Sequence, residues 1–328
     1  MSIISLSHVN RTYRVHARAS GAKGLLLNAF KRETKTIRAV DDVSFSLEEG
    51  ELVGYIGPNG AGKSTTVKLM SGILKPDSGE ISVLGREPWR ERKEHVRHIG
   101  VVFGQRSQLW WDTPVIDSFS VIRDIYAVPH SQYKQTLDDL CDILQVGEFL
   151  QTPVRQLSLG QRMRCELIAA MLHQPQVLFL DEPTIGLDAV TKLALRAFLK
   201  QVNRERGTTM ILTTHDMDDM EALCSRVMLI GRGKLLFDGS LDTMRAEFAP
   251  WRTLKIRLGG EISSCPGIEG AESVEYSGQE ARIRFLPSEV SAQEMIARTA
   301  ALLPVADLTV EAPDIDLLVA DMYRRMQL

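Results

Sequence analysis

Two kinds of hydrophobic pattern alternate along the first two thirds of the chain. Short apolar runs predict buried strands of a parallel sheet, whereas apolar residues spaced three or four positions apart predict helices. The predicted buried strands are residues 52–56, 99–103, 177–180 and 210–212. A helical pattern follows residue 62, and another begins near residue 158. This alternation predicts an α/β domain built around a parallel sheet.

Two further patterns predict elements added to this sheet. Residues 2–9, 40–48 and 80–85 alternate or are rich in apolar residues over short lengths, which predicts short strands, and we expect an antiparallel β edge. From Leu109 to Gln156 the spacing is helical, so we predict a helical subdomain at about residues 106–160, inserted into the sheet domain.

A basic insertion is predicted at about residues 14–38. The stretch from Arg11 to Arg38 contains eight lysines and arginines against one acid, Glu33, and an apolar cluster at residues 25–30. One interpretation is a solvated excursion with a few leucines folded back. The other is a surface that docks on an anionic membrane or an acidic partner, where each basic residue contributes about 1 kcal/mol.

A second, smaller domain is predicted at residues 252–328, after a linker at about 239–251. Alternating residues near 254–258 and 282–285 predict strands, and residues 292–303 have helical spacing. A final helix is predicted from about Pro313. We expect a small α+β domain of ferredoxin-like type, with regulation, dimerisation or contact with the first domain as its candidate roles.

Composition narrows the candidate partners. The 328 residues carry a formal net charge of −3, so there is no basic excess of the kind that binds nucleic acid. The four cysteines form no CxxC pair, which favours reduced residues in a cytosolic protein. We find neither a leader pattern nor an apolar run of about 20 residues, so a membrane role is expected to need a partner.

Residues 57–65, GPNGAGKST, directly follow the first buried strand and fit the pattern GxxxxGK[ST]. In this pattern glycines let backbone N–H groups turn toward phosphates, and the following helix N-terminus faces anionic oxygens. Lys63 is predicted to contact the β- and γ-phosphates, and Ser64 to bind Mg²⁺. A glycine-rich turn without a ligand is the alternative. The predicted triphosphate site, here called the phosphate loop, comprises Gly57, Pro58, Asn59, Gly60, Ala61, Gly62, Lys63, Ser64 and Thr65.

Two adjacent carboxylates follow the apolar run 177–180, at the end of a strand where ligands of doubly wound sheets lie. Asp181 is predicted to help complete a Mg²⁺ site, because that ion keeps several waters and takes few carboxylates. Glu182 is predicted to point to the other side of the strand end and to polarise the attacking water. The alternative is that both acids only cap the strand or pair with basic neighbours.

The order of these motifs resembles one family, the ATP-binding cassette (ABC) ATPases, over about residues 2–240. The phosphate loop resembles the Walker A motif, residues 157–161 (LSLGQ) the signature motif, and residues 177–182 the Walker B motif. Residues 186–188 resemble the D-loop. The Q-loop glutamine, the D-loop aspartate, the switch histidine and the adenine-stacking aromatic residue are matched by Gln105, Asp188, His215 and Tyr13.

The resemblance implies a P-loop NTPase core within a nucleotide-binding domain at residues 1–245, and a Mg²⁺-dependent ATP hydrolase. Glu182, His215 and Gln105 are the implied catalytic residues, with Gln105 also near Mg²⁺ beside Ser64 and Asp181. The implied dimer is head to tail, so that Ser158, Gly160 and Gln161 of one subunit contact the ATP of the other. Leu159 replaces the first glycine of the usual LSGGQ.

The resemblance also implies the ATPase subunit of a transporter, peripheral on the cytoplasmic face of the cell membrane. It would power a separately encoded membrane permease, as a homodimer or heterodimer of ATPase subunits, and it looks most like the exporter branch. An importer ATPase is an alternative. A soluble ABC ATPase that acts on ribosomes or DNA is another, but the single Walker A motif and the short gap before the signature disfavour it.

Overall fold

The computed structural model describes residues 2–16, 34–104, 106–214, 216–260, 266–313 and 315–325. The chain divides into two compact units, Met1–Gly239 and Ser240–Leu328. Among the described helices, none combines the length and apolar character that crossing a bilayer requires.

The first unit contains strands and helices in alternation. Its strands are β1 (Ile4–His16), β2 (Thr34–Leu47), β3 (Leu52–Ile56), β4 (Ser78–Val83), β5 (Ile99–Phe103), β6 (Val177–Asp181), β7 (Thr209–Thr214), β8 (Arg226–Gly231) and β9 (Lys234–Ser240). Its helices are α1 (Lys63–Met70), α2 (Arg92–His95), α3 (Val115–Tyr126), α4 (His130–Leu144), α5 (Leu159–Met171), α6 (Ala189–Arg206) and α7 (Met217–Leu223).

A six-stranded sheet in the order β5-β6-β7-β3-β8-β9 forms the core of this unit. The strands from β5 to β8 in this order are parallel, and every residue of β3 and β7 is buried. Burial on both faces is characteristic of central strands in parallel sheets. The predicted α/β fold is confirmed, and the carboxyl ends of β3, β6 and β7 lie at one edge, where parallel sheets bind ligands.

The antiparallel edge is a second sheet in the order β2-β1-β4. Its first two strands are longer than predicted, because they pair from Ile4 and Leu47 out to His16 and Thr34. Both ends of the predicted basic insertion, residues 14–16 and 34–38, belong to strands, so the prediction is wrong there. Apolar and β-branched residues such as Val15 and Ile37 lie between the basic ones and favour extended backbone. The apolar cluster at 25–30 lies outside the described residues.

Helices α3 and α4 and the beginning of α5 lie in the predicted helical subdomain. Phe119 and Ile122 of α3 are buried, as are Leu137 and Leu140 of α4. The spacing of three residues within each pair puts both side chains on one helix face. This apolar face packs the subdomain, as the sequence pattern predicted.

His173, just after α5, ties the helical subdomain to the sheet. Its Nε2 donates to the carbonyl oxygen of Ile99 at 2.8 Å, and its ring stacks on Tyr126 with centroids 4.0 Å apart. Its Nδ1 is buried, with no hydrogen-bond partner within the described ranges. Burial lowers the pKa of His173 to about 4, against the effect of the bond to Ile99. The ring is therefore neutral at pH 7.

Acidification is expected to destabilise the protein through His173. Its pKa of about 4 lies below the ordinary value near 6.5, so the unfolded chain takes up the proton first as the pH falls. The stabilisation is complete above about pH 6.5 and is lost between there and about pH 4, by at most about 3 kcal/mol. In urea titrations, lowering the pH from about 6.5 to about 4 should reduce the free energy of unfolding more in wild type than in His173→Gln. Parallel curves would contradict this assignment.

The second unit is a small α+β domain. It contains α8 (Leu241–Phe248), β10 (Arg252–Leu258), β11 (Ser273–Ser277), β12 (Glu280–Phe285), α9 (Ala292–Leu302), β13 (Val305–Glu311) and α10 (Ile315–Arg325). The four strands are antiparallel in the order β11-β12-β10-β13. This arrangement, with α9 crossing between β12 and β13, matches the predicted ferredoxin-like type. Helix α8 occupies part of the predicted linker, so that prediction is wrong.

Alternating residues of the central strands form the core of the second unit. Leu254, Ile256, Ile283 and Phe285 are buried in one cluster with Met295 of α9. The side chains that alternate with the buried ones are polar, and most of them are exposed: Arg252, Lys255, Arg257, Glu280, Arg282 and Arg284. One sheet face is thus apolar and covered, and the other is polar, as antiparallel sheets commonly are.

Candidate active site

The phosphate loop between β3 and α1 holds a buried lysine. Lys63, the first residue of α1, is 6% exposed, and its Nζ donates to the carbonyl oxygens of Gly57 at 2.5 Å and Pro58 at 3.3 Å. Burial lowers the pKa of Lys63, while Glu182 and Asp181 oppose that effect. The two carboxylates therefore favour the charged form of a cation that lies inside the loop.

Two glycines of the loop have left-handed backbone. Gly60 has a φ of 84° and Gly62 a φ of 115°. A Cβ on Gly62 would overlap the carbonyl oxygen of Ala39, so packing requires glycine there. A Cβ on Gly60 would meet no atom within 4 Å, so the loop presents bare backbone on an open side. This shape fits a group of phosphate size bound by backbone N–H groups.

Asp181 meets Ser64 at the carboxyl end of β6. Its Oδ1 accepts hydrogen bonds from Ser64 Oγ at 3.1 Å and from Thr213 Oγ1 of β7 at 2.6 Å. A hydroxyl and a carboxylate are the hard oxygen ligands that Mg²⁺ takes from proteins, with waters completing the octahedron. The donor set at this point therefore fits that ion, and two of the three predicted metal ligands, Ser64 and Asp181, lie together.

Glu182 has a left-handed backbone, with a φ of 55°. Its N–H donates to the carbonyl oxygen of Thr213 at 3.0 Å and to Thr213 Oγ1 at 3.1 Å. Both Asp181 and Glu182 line one cavity. The prediction that Glu182 points to the other side of the strand end assumed extended backbone, which residue 182 does not have. Alternation holds only along extended backbone, and the left-handed residue ends it.

This cavity has a volume of about 370 Å³ and joins the phosphate loop to the end of β5. It is lined by Asn59, Ser64, Lys68, Ile73, Phe103, Gly104, Arg106, Asp181 and Glu182. Lys68 and Arg106 were not predicted from the sequence. Lys68 lies one turn after Ser64, which was an available signal. The predicted residues Gln105 and His215 lie outside the described residues.

A larger cavity, of about 630 Å³, lies on the second unit. Its lining includes Trp251, which precedes β10, and Lys255, Arg282 and Glu275 from the polar sheet face. It contains none of the phosphate-loop or strand-end residues, so the smaller cavity is the candidate active site.

The signature motif begins helix α5 with a capping box. Ser158 Oγ accepts from the backbone N–H of Gln161 at 3.2 Å, and Gln161 Oε1 accepts from the backbone N–H of Ser158 at 2.9 Å. Leu159 is 37% exposed and lies against the D-loop, since a Cβ on Gly186 would be 2.6 Å from its Cδ2. Within the described chain, no signature residue lines the candidate cavity.

The D-loop is fixed by a second helix cap. Asp188 accepts from the backbone N–H of Thr191 at 2.9 Å and from its hydroxyl at 2.8 Å, and these bonds lower the pKa of Asp188. Farther along α6, Lys192 donates to Asp216 at 2.5 Å and Arg196 to Asp219 at 2.6 Å. Helix α6 therefore holds the segment just after position 215.

Tyr13 lies in β1, paired with Ile37 of β2. Its ring is half-buried, with the guanidinium of Arg11 at 5.3 Å from the ring centre. The described cavity lining does not include Tyr13.

Known proteins resemble this chain over most of its length. The ABC transporter family model matches residues 40–185. The uncharacterized ABC transporter ATP-binding protein YhcH of Bacillus subtilis is 34% identical over 63% of this chain and 67% of its own length. The methionine import ATP-binding protein MetN of Mesorhizobium japonicum is 31% identical over 82% of this chain and 74% of its own.

The fold has solved counterparts. A dimeric ATP-binding cassette in a post-hydrolysis state, bound to ADP and phosphate, aligns with a TM-score of 0.61 and 24% identity. The alignment covers 73% of this chain and 98% of that one. This alignment shows the fold alone. The family follows from the relatives above: the chain belongs to the family of ABC transporter ATP-binding proteins and is an ABC-type ATPase that binds ATP.

Proposed function

We propose that this chain hydrolyses Mg-ATP to drive a separately encoded membrane permease from the cytoplasmic face of the cell membrane. The observation that carries the proposal is the cavity that brings Ser64, Asp181 and Glu182 together beside the phosphate loop. The similarity to transporter ATP-binding proteins supports the link to a permease.

The phosphate loop binds the phosphates in this proposal, and the end of β6 helps to hold the metal ion. Lys63 and the backbone N–H groups at the start of α1 bind the β- and γ-phosphates. Ser64 Oγ and Asp181, joined by Gln105, hold Mg²⁺, which when bound neutralises phosphate charge. Thr213 keeps the Asp181 carboxylate in place through its hydroxyl bond. Ser64 Oγ already lies 3.1 Å from Asp181 Oδ1, so the two residues do not have to approach each other.

Glu182 is the general base in this proposal. Its carboxylate accepts the proton of the water that attacks the γ-phosphate. Thr213 holds its backbone through two bonds to the N–H of residue 182, so the carboxylate lines the cavity beside Asp181. His215, which follows β7, holds the γ-phosphate and the water in register. The next residue, Asp216, accepts a hydrogen bond from Lys192.

A second ATPase subunit completes each site. Ser158, Gly160 and Gln161 begin a helix, where N–H donors and the positive end of the dipole favour phosphate. Exposed apolar residues lie nearby on α6, with Val190 at 77% and Leu193 at 63% exposure. A partner subunit that brings its phosphate loop to the signature would cover them. Leu159 is compatible with this arrangement, since it lies against Gly186 of its own chain.

The permease is proposed to dock on the helical subdomain, on the segment that follows Gln105 in the sequence. Trp110 and Trp111 are 43% and 52% exposed, and Ile125 of α3 is 66% exposed. Large exposed aromatic residues are enriched at the centres of protein interfaces. Their position a few residues after Gln105 lets a docked permease respond to the nucleotide.

Export is the proposed direction, because the cassette with its GPNGAGKST loop and DEPTIGLD sequence resembles the exporter branch with standalone ATPase subunits. Import is the second candidate. It is favoured by the similarity to MetN, a methionine import ATP-binding protein, over 82% of this chain.

Capture of the partner tests the proposal. The Glu182→Gln protein, purified from detergent-solubilised membranes of the source organism with Mg-ATP present, is expected to bring a polytopic membrane protein with it. Trp110→Ala/Trp111→Ala in the same background should lose that protein and still bind ATP. Ile143→Ala is the matched control, because Ile143 is an exposed apolar residue of α4. Ribosomes or nucleic acid without a membrane protein would contradict the transporter proposal.

A further inference from the structure

A buried carboxyl group joins the segment after Gln105 to the helix that begins with the signature motif. Glu166 of α5 is 4% exposed, and its carboxylate accepts hydrogen bonds from the Ser107 hydroxyl and, at 3.2 Å, from the backbone N–H of Gln108. In return the Gln108 side-chain amide donates to the backbone oxygen of Glu166 at 3.1 Å. Both residues of the segment are thus held by one residue of the helix.

Two further contacts attach the same segment close to α5. The guanidinium of Arg162, four residues before Glu166, lies 5.9 Å from the ring centre of Trp111. The backbone N–H of Arg155 donates to the carbonyl oxygen of Trp111 at 3.0 Å. Residues 107–111 are therefore attached at both ends to α5 and the turn that precedes it.

If Glu166 only filled space in the core, burial of its carboxyl group would cost desolvation free energy with no gain. Burial raises the pKa of Glu166, and the bonds from Ser107 and Gln108 oppose that rise. The residues around it in α5, Cys165, Leu167 and Ile168, are fully buried and apolar or thiol-bearing. An apolar residue would pack there without the desolvation cost of a carboxyl group. The specific contribution of Glu166 is its pair of bonds to Ser107 and Gln108.

We propose that Glu166 is a positioning residue that transmits the nucleotide state from the segment after Gln105 to the signature motif. The inference rests on the proposed function of the two motifs. Arg106 lines the candidate cavity, and Ser107 follows it directly. Helix α5 carries Glu166 two turns from its first residue, Leu159. Because a helix moves as a unit, a shift of residues 106–108 moves Ser158 and Gly160 as well.

Tryptophan fluorescence of the full chain measures this coupling. The chain has four tryptophans, and Trp89→Phe/Trp251→Phe leaves Trp110 and Trp111 as the reporters. ATP is expected to change their fluorescence in this background. Glu166→Gln should abolish that change and lower kcat roughly tenfold. It should leave the Kd for a fluorescent ATP analogue within about twofold of the parent value, because the phosphate loop is intact.

Two further variants separate positioning from stability. Ile168→Val removes a buried methyl group from the same helix without touching Ser107 or Gln108, so it lowers the melting temperature but should keep kcat and the fluorescence change. Ser107→Ala removes one donor to Glu166. The kcat of the double variant Ser107→Ala/Glu166→Gln should be no lower than that of the slower single variant, because both changes disrupt the same contact between Ser107 and Glu166.

Each outcome shows whether Glu166 positions the signature motif or only stabilises the fold. A normal kcat and a normal fluorescence change in Glu166→Gln would overturn the inference while leaving the proposed function in place. Equal losses in Ile168→Val and Glu166→Gln, or effects of Ser107→Ala and Glu166→Gln that multiply, would also overturn it. No response of Trp110 and Trp111 in the parent protein would do the same. Failure of the wild-type chain to bind ATP would refute the proposed function, and the inference with it.

Discussion

Glu182→Gln is expected to lower ATP turnover by roughly 10²-fold or more, the scale for loss of a general base. The amide has the same size and keeps the backbone bonds to Thr213, but it does not accept the proton of the attacking water. Lys63, Ser64 and Asp181 are unchanged, so ATP still binds and the protein accumulates as an ATP-bound dimer. Steady-state phosphate release and size-exclusion chromatography with and without Mg-ATP measure both effects.

Glu49→Gln is the matched control for this experiment, since Glu49 is exposed in the turn before β3. It removes the same charge and should hydrolyse ATP at the wild-type rate. Near-normal turnover of Glu182→Gln would remove Glu182 from the role of general base. A monomeric Glu182→Gln protein in saturating Mg-ATP would count against the ATP-sandwich dimer.

Lys63→Ala is expected to abolish tight nucleotide binding. Its ammonium group is buried in the phosphate loop and bonded to Gly57 and Pro58, so no other side chain takes its place. Loss of a charge-assisted hydrogen bond of about 3 kcal/mol corresponds to a Kd raised roughly 100-fold. Fluorescence titration with an ATP analogue measures the Kd directly.

Lys200→Ala controls for the loss of one positive charge, because Lys200 is exposed on α6. Its Kd should equal that of wild type. An unchanged Kd in Lys63→Ala would contradict the assignment of residues 57–65 as the phosphate loop. A thermal melt of both variants shows whether the altered binding reflects unfolding of the loop region.

The buried core of the first unit was predictable because its strands are continuous apolar runs. Residues of β3, β5 and β6 are nearly all buried, and such runs have few alternative interpretations. The same reasoning placed Asp181 at the edge where ligands bind. Strand β8 has an equally apolar run, VMLI, and should have been found by the same criterion.

Two further missed strands are ones that the core does not fix. Strands β9 and β11 are half-buried or exposed at sheet edges, so their sequences carry only weak alternation. Helix α8 did have a signal: Ser240 caps it through the backbone N–H of Thr243 at 3.0 Å, and Leu241 and Met244 are buried one turn apart. Glycine and serine near residue 240 suggested a linker instead.

The site itself was predictable in composition but not in geometry. Spacing alone identified Ser64 and Asp181. The two residues are in contact because a strand order common to doubly wound folds brings them together. The backbone conformation of Glu182 was not predictable. Its left-handed backbone depends on bonds to Thr213, a residue 31 positions away in the sequence.

That backbone has a consequence for natural variation at position 182. A side chain held at a φ of 55° costs about 1–3 kcal/mol, which glycine would avoid. Replacement by glycine would thus relieve backbone strain at the same point where it removes the carboxylate. Selection for folding and selection for turnover act in opposite directions at this residue, so the family's most active sequences need not be its most stable.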